Sequence, residues 1–447
     1  MCSVSQNFPN CLNDSFGNSS DLVIKEFVIC QTRVYLCFLE SLVDFPKTNE
    51  YVRQIESNLV MHEDVFDQLA ALTAGQAQVP YSDIIVYLLK GRLVIASFHD
   101  DRNVVLNPLQ ISLTRNIQTP LNENVVQSSF DAFTENINTN IGIIRSKIIS
   151  RNLVVESFAT GETNTRQLAV IYRQDKVNQT VIDSILDRLR KNKNNNIRHV
   201  QDLSRALGQK KWNLIPTILS TEIPADTVEY LTEGRVAIFM DHFPFALVIP
   251  SIVSDLWSIK SDHNFPVVFM ASIRIIRIVG LLVSTLAPGL YVALVSVNPE
   301  VLRIQLALAI ARSREGVPYP AIVEIILLLF VLEMIVEASV RLPKSIGPAI
   351  TMVGGIILGE AVVQAKLVSN LLIITLAATT IANFTLSGFT NMLMVRLFKY
   401  LLLLPSAIFG VLGLIGGLQF FCCYLAAVTT FSVPYLTLKM REGDRVE

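Results

Sequence analysis

The sequence predicts an α/β region followed by an all-α membrane region: two similar α/β subdomains, then a polytopic transmembrane helix bundle of four to five spans. Three observations predict it. Charged residues are 17% and hydrophobic residues 51% of the chain, with a mean hydropathy of +0.46, too apolar for one soluble globule. The apolar content is segregated. Residues 1 to about 260 mix charges with short apolar runs, whereas residues 266–438 hold runs of the roughly 20 residues that cross a bilayer core. Finally, the first half repeats itself.

The same composition narrows the chemistry. A net charge of -1 gives no global attraction to nucleic acid. The 6 cysteines lack paired-ligand spacing, and the 5 histidines form no HxxxH or HExxH, so no metal site is expected. No GxSxG, Walker loop or GxGxxG occurs, so neither an enzyme nor a cofactor is expected.

The N-terminal tail, 1–20, has no basic n-region and no apolar h-region. The α/β region is therefore expected to stay cytoplasmic, and Arg274 and Arg277 at the start of the first span agree with the positive-inside rule. The first subdomain, 21–130, opens with strands Asp21–Phe27 and Arg33–Phe38. A helix over Thr48–Leu59, a second helix and a strand over Lys90–Ala96 follow, an order of strand, strand, helix, helix, Gly-Arg strand. A connecting helix, 131–151, carries Ile137, Ile141, Ile144 and Ile148 at helical spacing. The second subdomain, 152–260, restates the order: strands Asn152–Phe158 and Arg166–Tyr172, helix Val177–Arg190, and the Gly-Arg strand Glu233–Phe239. Gly91 and Gly234 would make the turn before each Gly-Arg strand. The polar run Lys191–Asn196 reads as a solvated loop or a basic contact patch.

The transmembrane domain, 266–438, precedes a C-terminal tail, 439–447. Its expected spans are Ile275–Val297, Ala321–Val340, Ile346–Ala365, Leu367–Phe384 and Leu401–Val428, the last interrupted by Pro405 and glycines. Basic residues sit in nearly every connection, so charge does not fix the topology past the first span. Glu300–Arg314 reads as an interfacial or packed segment.

Carboxylates in apolar spans are the candidate ion path, because a charge in hydrocarbon must face protein, water or a partner. Glu324 and Glu333 are half a turn out of phase, whereas Glu333, Glu337 and Arg341 can share one face. They form either a salt-bridged ladder or an ion path. Glu360 follows Gly354, Gly355 and Gly359, small residues that let helices approach closely, and is either solvated with Lys366 or part of a carboxylate ring. In Ser313–Pro320, Gly316, Pro318 and Pro320 break one helix and restart the next, while Arg314 and Glu315 can satisfy freed backbone groups. That segment is a structural elbow or a gating hinge.

Several blocks in order resemble the A subunit of the spore germinant receptors. They are Phe133–Asn136, Glu233–Ile238, Pro244–Val248, Pro288–Leu294, Ser313–Pro320, Arg341–Gly347, Gly359–Val363 and Val433–Tyr435. The chain departs from that pattern at Gln127–Ser129, His242, Glu360 and Asn383–Asn391. The resemblance implies a two-subdomain cytoplasmic region and a membrane domain in the inner spore membrane. It also implies a transporter-like B subunit and a lipoprotein C subunit as partners, with membrane lipid around them. The A subunit is then expected to form a homo-oligomer, a pentamer, acting as a nutrient-gated cation channel that triggers germination. The alternative is a non-conducting scaffold or transporter-like subunit that assembles its partners.

Overall fold

The structure is a computed structural model; it describes residues 4–30, 32–57, 59, 64–98, 100–111, 131–161, 165–341, 352, 355 and 359–438. After helix α1 (Val4–Ser15), the first subdomain builds a five-stranded antiparallel sheet. Its strands are β1 (Leu22–Ile29), β2 (Thr32–Leu39), β3 (Gln76–Ala77), β4 (Leu93–Ser97) and β5 (Asn103–Leu106), in the order β1-β2-β4-β5-β3. Helices α2 (Phe45–Glu56), α3 (Val65–Thr73) and α4 (Tyr81–Leu89) lie between β2 and β4. Helix α5 (Ile137–Lys147) leads into the second sheet: β6 (Leu153–Thr160), β7 (Arg166–Arg173), β8 (Leu219–Thr221), β9 (Val236–Met240) and β10 (Ala246–Ile249). Its order is β6-β7-β9-β10-β8, the same as the first, with α6 (Gln179–Lys191), α7 (Val200–Ala206) and α8 (Pro224–Thr232) in equivalent places. The duplication is thus carried by topology as well as by sequence.

Each central strand is buried throughout, β9 as the apolar run Val-Ala-Ile-Phe-Met and β4 as Leu-Val-Ile-Ala closed by Ser97. Alternation splits β9 between two cores. Val236, Ile238 and Met240 pack with α6 and α7, whereas Ala237 and Phe239 pack with α5. The glycine before each strand has a positive φ, +73° at Gly91 and +85° at Gly234, and a Cβ at Gly234 would overlap the Lys176 carbonyl.

The connecting helix is shorter than the sequence suggests. Residues 131–136 lie outside the helix, which starts where Asn136 caps it at the Thr139 N–H (3.0 Å). Asn140 also clasps Thr134, accepting from its N–H (2.8 Å) and donating to its carbonyl (2.7 Å). Phe133 then packs edge-on against Phe239, ring centroids 4.9 Å apart.

The subdomains join along one seam. The Ser20 N–H donates to the Val155 carbonyl (2.7 Å), and Arg145 of α5 forks onto both oxygens of buried Asp21 at 2.8 and 2.9 Å.

In the apolar C-terminal half, α9 (Val267–Val292) continues through a π-turn to Val297, followed by α10 (Ile304–Ser313) and α11 (Ala321–Arg341). Among the described residues, further helical stretches cover 359–364, Asn370–Phe384 and Phe389–Ala427. Only Val267–Val297 and Phe389–Ala427 are long and apolar enough, among the described residues, to cross a membrane by length and composition. The expected count of four to five spans is not met on that criterion. Helix α11 carries three glutamates in 21 residues, Asn370–Phe384 is 15 residues, and most of the expected span Ile346–Ala365 lies outside the described residues.

The last stretch is not one rod. Gly410 breaks it with φ 62° and ψ -136°, and the chain folds back. Phe398 on the first arm meets Phe421 on the second with ring centroids 3.9 Å apart, and a Cβ at Gly413 would overlap the Pro405 carbonyl. Expected as a single interrupted span, it is an antiparallel hairpin of two arms. At about 1.5 Å per residue each arm is roughly 25 to 30 Å long, near the thickness of a hydrocarbon core.

Candidate functional site

The elbow between α10 and α11 is organised by Arg314. Gly316 at φ +88° reverses the chain, and Pro320 starts α11 by leaving its carbonyl to the Val323 and Glu324 N–H groups. Arg314 caps α10, donates to the Tyr319 carbonyl (3.1 Å) and pairs with Glu324 at 2.8 Å. The sequence offers Glu324 no cation within one helical turn; the elbow brings one from ten residues upstream. Glu324 is fully buried, and its second oxygen accepts the Ser369 N–H at 3.2 Å. Ser369 N-caps the Asn370–Phe384 helix and shares a hydrogen bond with Tyr291 Oη of α9 (2.8 Å). A salt bridge thus ties three helices at one end of the bundle. Lys366 lies over Gly316, its Cδ 2.9 Å from where a Cβ would stand, rather than beside Glu360. Glu315 and Pro318 are both exposed at the same turn.

The expected ladder on α11 divides. Glu337 pairs with Arg341 one turn on, both largely exposed, with Arg341 Nε at 2.9 Å. Glu333 turns instead to the hairpin's first arm, where Arg396 Nη1, Lys399 Nζ and Tyr400 Oη all stand 3.4 Å away. Glu360 is exposed and accepts from Gln364 at 3.1 Å. A Cβ at Gly355 or Gly359 would meet nothing within 4 Å among the described residues, so within one chain these glycines make no close helix contact. Gly354 lies outside the described residues. No group of three His, Cys, Asp or Glu residues that could hold a metal occurs among the described residues.

A second set of residues links the α/β region to the apolar C-terminal half, and sequence spacing gave no sign of it. Buried Arg235, of the Gly-Arg strand, forks onto Asp255 at 2.8 and 3.0 Å. The Asp255 carbonyl accepts from Ser387 and from Asn391 (3.3 Å) at the start of the hairpin. Arg277 of α9 donates to Asp262 (3.0 Å) and to the Trp257 carbonyl (3.1 Å), so this expected topology marker is also a tether. Around it, burial and then Glu229 push the Asp226 carboxyl up to about 6. The signal that was legible is Ser369, a hydroxyl immediately before an apolar helical run.

Comparison with known proteins places this architecture. The model for the Bacillus/Clostridium GerA spore germination protein family matches residues 10–442. Spore germination protein KA of Bacillus subtilis (strain 168) is 31% identical, over 94% of this chain and 79% of its own length. Spore germination protein GerLA of Bacillus cereus is 27% identical, over 95% and 88% respectively. The uncharacterized membrane protein YfkQ of Bacillus subtilis (strain 168) is 25% identical, over 94% and 82%. Among solved structures, the N-terminal domain of the A subunit of the Bacillus megaterium spore germinant receptor GerK3 matches with 23% identity and a TM-score of 0.43, covering 56% of this chain and 98% of that one. With the family model spanning nearly its whole length, this chain belongs to the GerA family of spore germination proteins.

Proposed function

We propose that the chain is the A-type subunit of a spore germinant receptor and that several copies assemble into a nutrient-gated cation channel. It would sit in the inner spore membrane with its α/β region cytoplasmic, beside a transporter-like B subunit and a lipoprotein C subunit. The observation that carries the reading is the unbroken family match over residues 10–442, which covers the α/β and membrane halves together. The geometry supplies the parts. Glu360 is exposed beside the open glycines Gly355 and Gly359, a surface that copies of the chain can pack against. A ring of Glu360 carboxylates around an axis would favour cations and relieve the cost of charge near hydrocarbon. Glu324 is spent on Arg314, so in this reading it holds the elbow shut, and movement of Gly316, Pro318 and Pro320 would release it. Glu333 and Glu337 brace α11 instead of lining the path.

The test is the oligomeric state of the full chain in nanodiscs by particle symmetry, joined to cation flux in reconstituted receptor. A closed ring, with lower flux in Glu360→Gln and normal insertion, is the expected result. A stable monomer would favour the scaffold reading, and a ring with unchanged flux in Glu360→Gln would remove this residue from the path.

A further inference from the structure

Trp212 is the most exposed large hydrophobic residue among those described, at 87%. An indole wholly in water forgoes one of the largest apolar burials available to a side chain, so its position asks for a cover. It sits in the segment Gln209-Lys-Lys-Trp-Asn-Leu214, where Lys210, Lys211 and Leu214 are also exposed. The segment is pinned. Tyr424 Oη of the hairpin's second arm accepts the Leu214 N–H (3.1 Å) and donates to Asn213 Oδ1 (3.0 Å). Ile215, next in line, is buried with Leu425, Phe398 and Val253. Trp212 is therefore held beside the end of an apolar arm. One turn earlier on that arm Phe420 faces outward, 76% exposed, and one turn later the arm ends at Ala427. Apolar exposure gives way to hydrogen bonding with the α/β region at this level, which is where a hydrocarbon core would meet headgroups.

From this placement we infer that the Lys210–Leu214 segment is a membrane-surface anchor, with Trp212 seated among the headgroups and Lys210 and Lys211 paired with anionic phospholipid phosphates. Interfacial tryptophan and tyrosine occupy this level in membrane proteins because their rings are apolar and their N–H or O–H is wet. Lysines beside the surface add attraction to anionic lipid that falls off within a Debye length. The anchor would fix the α/β region against the bilayer at a second point, besides the Asp255 and Asp262 tethers. The inference rests on the membrane placement of the hairpin, and its test separates the two.

The chain has two tryptophans, so Trp257→Phe leaves Trp212 as the sole reporter in the full-length protein. It is reconstituted in bilayers of phosphatidylcholine with or without phosphatidylglycerol. Quenching is read with aqueous iodide and with spin labels at the headgroup or mid-chain. In anionic bilayers Trp212 should be quenched by the headgroup label, lose iodide access, and shift to shorter emission wavelength than in detergent. Lys210→Gln with Lys211→Gln should remove the difference between the two lipid compositions. A control carrying Phe420→Trp with Trp212→Phe and Trp257→Phe should be quenched by the mid-chain label. If that control responds while Trp212 stays as open to iodide as free tryptophan, the anchor is wrong. If the control is not quenched, the membrane placement falls and the anchor with it. Unchanged lipid dependence in the lysine variants would overturn the phosphate pairing.

Discussion

Arg145 is among the largest fully buried side chains, and it reaches Asp21 across 124 residues of sequence. Removing one partner strands a charge in the seam between the subdomains, at a typical cost of about 3–5 kcal/mol. Arg145→Met should therefore lower the stability of the detergent-solubilised chain by roughly that amount in chemical denaturation. Adding Asp21→Asn should restore most of it, because the pair then leaves together. An equal loss in single and double variants would show that the seam is held by the Ser20 and Val155 backbone pairing instead. At this scale sequence reading is weakest. It recognised that Glu324 needs a partner, since charge in an apolar run is costly whatever the fold. It missed Arg314, because a partner ten residues away is reached only through the turn at Gly316. Likewise it placed Glu333 and Glu337 on one helix face, which is correct, but the face continues onto Arg396 and Lys399 of another helix. Spacing within a helix is visible in sequence; which helix lies opposite is not.

The hairpin shows the same limit for elements. Pro405 and the glycines after it announce a break, because proline removes an N–H and glycine tolerates positive φ. They do not say whether the helix kinks or reverses. Asn298, after the π-turn of α9, decides it: its Oδ1 accepts the Val411 N–H at 3.0 Å and fills the space over Gly410. A Cβ at Gly410 would overlap that oxygen, and φ 62° with ψ -136° is a conformation that L side chains rarely adopt. Gly410→Ala should open the hairpin. Spin labels at the exposed positions Leu393 and Phe420 should stand within roughly 20 Å in the native chain and near 40 Å if the arms become one continuous helix. Asn298→Ala should give a milder broadening, since only one cap is lost. Unchanged distances in Gly410→Ala would mean that the arm contacts at Phe398 and Gly413 suffice to hold the turn. By contrast, the paired α/β subdomains were visible early, because strand alternation, the Gly-Arg turn and the repeat each report on local backbone. The third helix and two of the five strands of each unit were not, since Gln76–Ala77, Asn103–Leu106, Leu219–Thr221 and Ala246–Ile249 are too brief to show a period.

For the whole molecule, the hairpin returns the chain to the α/β region. The α/β region meets the membrane half at Asp255 and Asp262, and the second arm ends against the same region at Tyr424. Beyond it, Thr429–Thr430 and Val433–Pro434 form a small ribbon, with Phe431 packed in the second core and Arg188 over its ring at 4.9 Å. The Tyr435 carbonyl accepts the Val253 N–H at 2.8 Å. Charge in the connections had left the side of the C-terminus open, because basic residues lie in nearly all of them. Contacts decide what charge does not: a segment hydrogen-bonded to the α/β region shares its compartment. A cysteine placed at Leu438, exposed at the end of the described chain, should therefore react with an impermeant maleimide from the same side of sealed vesicles as one placed at Leu72 in the first subdomain. Cys11, Cys30, Cys37, Cys422 and Cys423 would first be replaced, together with Cys2, to remove background. Labelling of the two positions from opposite sides would require the second arm to stop short of crossing. It would also separate Phe431 from the core it fills, so deleting the ribbon should then cost no stability.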